Sequence, residues 1–162
     1  MLGLIKRIMV YVDGTEQSIT AAQYAIILSK ITGARLTALY VINTRALQDL
    51  VKTHIFLKDE EMEYQRDIEQ DAERYLNHVR NLARKKGVAI ETLSANGTVH
   101  IEIKNMVEKH EIDLLVIGEL SRIRSRRDEL YNESERAMHN VSCSVLIVKD
   151  EDYVNEMFEA QA

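Results

Sequence analysis

Short apolar runs alternate with segments of helical periodicity along the whole chain, and this alternation constrains the fold more than any other feature. Ile8-Met-Val-Tyr-Val12 is apolar without a break, rich in β-formers and stopped by Asp13-Gly14. A run of that kind marks a strand covered on both faces. From about Gln17 to Thr32 the period changes: Ile19, Ala22, Ala25, Ile26 and Ser29 recur at helical spacing, and Gly33 is placed to end the helix. Arg35–Ile42 is a second strand. A long helix starts at Asp59, with Ile68, Ala72, Tyr75, Leu76, Val79, Leu82 and Ala83 on one stripe and Lys85-Lys86-Gly87 closing it. Val88–Leu93 is a third strand, and Gly97-Thr98 opens a helix carrying Val99, Ile103, Met106 and Val107. Asp113-Leu-Leu-Val-Ile-Gly118 is a fourth strand, a helix follows over about Glu129–Asn140, and Cys143-Ser-Val-Leu-Ile-Val148 is the last strand. Strands and helices in this order, joined by right-handed crossovers, predict an α/β fold with a single five-stranded parallel sheet and helices on both faces. The 162 residues suit one domain over 1–149, followed by an acidic tail over 150–162.

In such a sheet ligands lie outside the carboxyl ends of the strands, where the strand order reverses. That directs attention to Asp13-Gly14 after the first strand and Gly118 after the fourth. Asp13 has two readings: it orients a ligand hydroxyl, or it makes the turn and caps the next helix. Residues 43–58 give no clean pattern, although Ala46, Leu47, Leu50 and Val51 fit a short helix.

Composition excludes several classes. The 21 basic and 26 acidic side chains leave a net charge of -5, which argues against nucleic acid as a partner. A single cysteine, Cys143, excludes an internal disulfide framework, and the five histidines form no metal-binding pair. His139 and Cys143 are four apart, but Cys143 begins a strand, where a cysteine is ordinarily inert packing. No apolar run approaches a membrane span and no targeting segment is recognisable, so a cytoplasmic location is expected.

The first strand with its Asp13-Gly14 stop, Gly97 before a helix, Asp113–Gly118 and Cys143–Val148, in that order and spacing, resemble the universal stress protein family over residues 5–149. The resemblance implies a Rossmann-like, adenine nucleotide alpha hydrolase-like architecture. It also implies a homodimer formed through the last strand, 143–148, and a site where many members bind ATP. ATP-binding members carry glycine, two residues, glycine, nine residues, then glycine followed by serine or threonine after the fourth strand. Gly118 matches the first position; the others fall on Ser121, Tyr131 and Asn132. Glycine is needed there because backbone amides must approach phosphate oxygens closely, and the ring of Tyr131 blocks that approach.

By the same resemblance Val12, Asp13, Gly14 and Val41 form the nucleoside half of the site. Gly118, Ser121, Arg122, Arg124 and Asn132 face the anion. Arg122, Arg124, Arg126 and Arg127 either grip an anion or form a solvated loop pairing with Asp128, Glu129 and Glu133. The expected protein is therefore a non-catalytic, dimeric stress-response module with a degenerate nucleotide pocket and no resident cofactor; ATP, ADP or AMP remains as a weak ligand. The alternative keeps ATP binding with slow hydrolysis. An enzyme of another doubly wound family needs a glycine-serine phosphate loop after the first strand, which Asp13-Gly14-Thr15-Glu16 does not supply. Family members often have proline where this chain has Ser144, which adds an N–H donor at the start of the presumed dimer strand. The apolar tail residues Tyr153, Val154, Met157 and Phe158 either cover the last strand, cross to a partner or fray.

Overall fold

A computed structural model describes residues 3–44, 58–119 and 133–161, with backbone alone at 58–61. The expected short helix around Ala46–Val51, the arginine-rich segment, Tyr131 and Asn132 lie outside the described residues.

Five parallel strands form one sheet: β1 (Arg7–Val12), β2 (Arg35–Ile42), β3 (Ile90–Asn96), β4 (Leu114–Gly118) and β5 (Ser144–Val148), in the order β3-β2-β1-β4-β5. The chain moves outward from β1 to β3 on one side, then crosses to β4 and β5 on the other. The strand order thus reverses between β1 and β4, which pair from Ile8↔Leu114 to Val10↔Val116. β3 begins later and runs further than its sequence suggests. Its pairing with β2 continues through Thr92 and Ser94 to Asn96, because an edge strand tolerates polar side chains.

Among the described residues five helices cover the two faces: α1 (Glu16–Thr32), α2 (Lys58–Lys85), α3 (Val99–Lys109), α4 (Glu133–Asn140) and α5 (Glu151–Ala160). Side chains alternate between the faces, as the two-residue period of a strand requires. Ile8, Val10 and Val12, with Leu36, Ala38, Leu114, Val116 and Val148, pack under α1, α2 and α5. Met9 and Tyr11, with Leu39, Val41, Leu115 and Ile117, pack under α3 and α4. α1 touches both α2 and α5 as well as β1 and β4, so it is apolar around most of its girth, with Ala21, Ala22, Ala25, Ile26 and Ile27 buried. It ends at Gly33, whose φ of 76° is the left-handed conformation of a helix stop.

The acidic tail folds back as α5, neither fraying nor lying along β5. Asp150 caps it by accepting the N–H of Tyr153, and Val154 and Phe158 enter the α1 side of the core at 1% and 2% exposure. Lys86, just past α2, lies 4.6 Å over the Phe158 ring and donates to the carbonyl of Gln161 at 2.6 Å, tying the two elements together. The far end of the sheet is closed by Asp113, whose Oδ2 accepts the N–H groups of Lys6 and Arg7 at 2.8 and 2.9 Å. Those two bonds hold its carboxyl below the ordinary carboxylate value.

Candidate functional site: the carboxyl ends of β1, β2 and β4

The turn between β1 and α1 is built by local hydrogen bonds. Thr15, not Asp13, is the N-cap of α1: its Oγ1 accepts the Ser18 N–H at 3.1 Å. The Ser18 hydroxyl donates to the Thr15 carbonyl at 2.9 Å and accepts the Asp13 N–H at 3.2 Å. Asp13 is the second tier of this turn. Its Oδ1 accepts both the N–H and the hydroxyl of Thr15, at 3.0 and 2.6 Å. The helix-cap reading of Asp13 is therefore replaced by an Asx turn. Its Oδ2 has no hydrogen-bond partner among the described residues, and Asp13 is exposed at the point where the strand order reverses.

Gly14 has φ 85°, and a Cβ there would fall 2.6 Å from the ring of Tyr75 on α2. Tyr75 in turn stacks on Tyr40 of β2, with ring centroids 6.2 Å apart and planes 6° from parallel. This aromatic pair buttresses the turn from the α1 side of the sheet. Burial, then the charges of Asp13 and Asp71, push the Tyr40 phenol above its ordinary value. On the opposite face Tyr11 is buried, and its hydroxyl is pushed far upward by burial and further by Asp13, Tyr40 and Glu133. Both phenols stay protonated.

Val12 and Val41 are buried beside this turn, on opposite faces. The last β1–β2 pair is Val12↔Tyr40, so Val41 and Ile42 extend past the end of β1. Gly118 ends β4 on the other side. A Cβ there would lie 2.5 Å from the carbonyl oxygen of Gln17 and 2.6 Å from its carbon. Packing of β4 against the first turn of α1 thus demands glycine without any ligand. Val12, Asp13, Gly14, Val41 and Gly118 come together at one rim; Ser121, Arg122, Arg124 and Asn132 lie outside the described residues.

A further cluster sits at the same rim, where α3 and α4 begin. The N-cap of α3, Thr98, makes no side-chain capping bond. Glu133, the first residue of α4, supplies the missing acceptor: its Oε2 accepts the N–H of His100 at 2.9 Å and lies 2.6 Å from His100 Nδ1. Its Oε1 lies 3.5 Å from Arg136 Nη1. The 33-residue separation of His100 and Glu133 hides this contact from any local pattern. Tyr11 and Tyr40 lie near the ends of β1 and β2 and Tyr75 lies mid-way along the apolar stripe of α2, so nothing in their local sequence marks them as site residues.

Among the described residues no group of three or more His, Cys, Asp or Glu side chains can hold a metal. Cys143 is half-buried and burial raises its thiol, in keeping with a packing role. A cavity of about 660 Å³ opens at the opposite end of the sheet, with Lys30, Arg35 and His110 in its wall. α1 ends there, and cations complement the negative end of a helix, so that positive lining has a structural cause.

The sequence pattern of the Universal stress protein family matches residues 4–149. Universal stress protein MJ0531 of Methanocaldococcus jannaschii is 30% identical over 146 residues, which cover 90% of this chain and 83% of that protein. Among solved structures, hypothetical protein MJ0577 superposes with a TM-score of 0.71 at 17% identity, covering 91% of this chain and 98% of the other. A universal stress protein family protein from Arabidopsis thaliana, solved with AMP bound, superposes with a TM-score of 0.64 at 18% identity, covering 89% and 91%. At those identities the structures share the fold. The match over residues 4–149 and the 30% identity to MJ0531 show that the chain belongs to the universal stress protein family.

Proposed function

We propose that this protein is a non-catalytic, dimeric stress-response module of the cytoplasm, whose pocket keeps the nucleoside half of an adenine nucleotide site and has lost the phosphate half. The carrying observation is Asp13: the turn holds its carboxylate rigidly by one oxygen, leaving Oδ2 at the β1/β4 switch point, where a ribose hydroxyl can donate to it. The AMP bound by the Arabidopsis relative supports an adenine nucleotide as the ligand class. Gly118, the single retained glycine of the ATP signature, has a packing cause and so lends ATP no weight. Tyr131 and Asn132 replace the glycine and serine that phosphates need.

For assembly, β5 is an edge strand with Val145, Leu146 and Ile147 half-buried, a surface suited to pairing with a second copy. For location, no helix among the described residues is long and apolar enough to cross a membrane. Isothermal titration with ATP and magnesium tests the pocket: affinity weaker than about millimolar is expected, and micromolar affinity refutes the degenerate reading in favour of ATP binding. Sedimentation equilibrium tests the assembly: twice the 18.7 kDa chain mass is expected, and a monomer at all concentrations refutes it.

A further inference from the structure

We infer that the cavity at the amino end of the sheet is a binding site for a small phosphate monoester, whose dianion is held by Arg7 and Arg35. The site lies at the opposite end of the sheet from Asp13 and is independent of the nucleoside pocket.

The cavity measures about 660 Å³, the size of a small-molecule site. Its wall comes from the starts of β1, β2 and β3 and from the ends of α1, α2 and α3 with the loops that follow them, all of them described residues. Arg7 and Arg35 are the first register pair of β1 and β2. Neighbouring strands lie about 4.8 Å apart and paired side chains share a face, so two guanidinium groups spring from adjacent backbone positions. Like charges placed so repel, and the described residues offset them little. Arg7 meets Glu111 at 3.8 Å, a long pair in which the Glu111 side chain is 79% exposed. Asp113 has its Oδ2 taken up by the N–H groups of Lys6 and Arg7. The Arg35 side chain makes no hydrogen bond or ion pair among the described residues. Two helix-end carbonyls beside it are also occupied: the N–H of Gly33 takes that of Ser29 and the N–H of Val88 takes that of Ala83. Helix ends give Lys30 and His110 a structural cause, because they close α1 and α3; two arginines on strands have none. Guanidinium groups match phosphate oxygens two at a time, and two such groups balance a dianion. Val88, Ile90 and Ile112 in the same wall offer apolar surface to the body of the molecule.

Phenyl phosphate is the probe, titrated at constant ionic strength while amide nitrogen–proton spectra are recorded. It should shift the amides of Arg7, Arg35, Ala89 and His110 in a saturable way, with a submillimolar Kd. Benzoate, a monoanion of similar shape, should bind about tenfold more weakly. Arg35 is exposed, so Arg35→Gln should fold; it should weaken phenyl phosphate about tenfold. In phosphate-free buffer the variant should melt no lower than wild type, since it removes a like-charge neighbour. The inference is overturned by the absence of saturation below about 10 mM in the wild type, or by shifts confined to the other end of the sheet around Asp13 and Gly118. Benzoate binding as tightly as phenyl phosphate, or an Arg35→Gln protein that binds unchanged, overturns it as well. So does a variant that melts well below wild type or fails to fold, because Arg35 would then have a structural role.

Discussion

Gly118→Ala separates a glycine kept for packing from a glycine kept for phosphate. An alanine Cβ at position 118 would stand 2.5 Å from the Gln17 carbonyl oxygen, 2.6 Å from its carbon and 3.0 Å from its Cβ. Comfortable non-bonded separations are about 3.5 Å, so strand and helix must part by about 1 Å. Two of the three obstructing atoms are backbone, so no side-chain rotation relieves the clash. The neighbours Val116 and Ile117 are fully buried, leaving no slack. Overpacking of this kind costs about 1–3 kcal/mol. For a chain of this size each kcal/mol lowers the melting temperature by about 2–4 °C, so a mid-range cost of about 2 kcal/mol lowers it by roughly 4–8 °C. The assay is a thermal melt followed by circular dichroism on protein stripped of small molecules. Gly33→Ala is the comparator: it has φ 76° but nothing within 4 Å of a Cβ, so it reports backbone strain alone, about 1–2 kcal/mol. A Gly118→Ala protein melting within about 1 °C of wild type would refute the close approach, and Gly118 would then need a ligand to explain it.

Phe158→Ala should lower the unfolding free energy by about 3–5 kcal/mol in urea denaturation, since the ring is 2% exposed and capped by Lys86; a loss below about 1 kcal/mol would mean α5 is not part of the core. Asp113→Ala should reduce the melting temperature at neutral pH. Because the folded-state carboxyl titrates below its ordinary 3.8, its contribution is present above that value and fades as pH falls through the folded pKa, so the gap to wild type should close in strong acid. A gap independent of pH would contradict the two amide bonds as its source. Cys143 should react with an aromatic disulfide reagent far more slowly in the native protein than in urea, burial having raised its thiol; equal rates would place it in the open.

The strands of the sheet centre were legible because residues covered on both faces must be apolar throughout, and Ile8–Val12 and Leu114–Ile117 are. β3 was harder to delimit: Thr92, Ser94 and Asn96 lie on an edge, where the hydrophobic signal fades. The apolar set Tyr153, Val154, Met157 and Phe158 is visible in the tail, but neither its helix nor the face of the sheet it joins is, since an apolar set carries no address. At the site, Asp13-Gly14 and Gly118 were visible as strand stops. Their causes were not. Asp13 gives way to Thr15 as cap, and Gly118 answers to the backbone of Gln17, both matters of three-dimensional neighbours. The His100–Glu133 contact joins two helix starts across the rim and leaves no local trace.

The most direct test of the proposed nucleoside pocket is an amide nitrogen–proton correlation spectrum recorded while adenosine is added. The amides of Asp13, Gly14, Val41 and Gly118 should move in a saturable way, and ATP with magnesium should produce no tighter saturation. Saturation by ATP at micromolar concentration, or shifts confined to the opposite end of the sheet around Arg35 and His110, would contradict it.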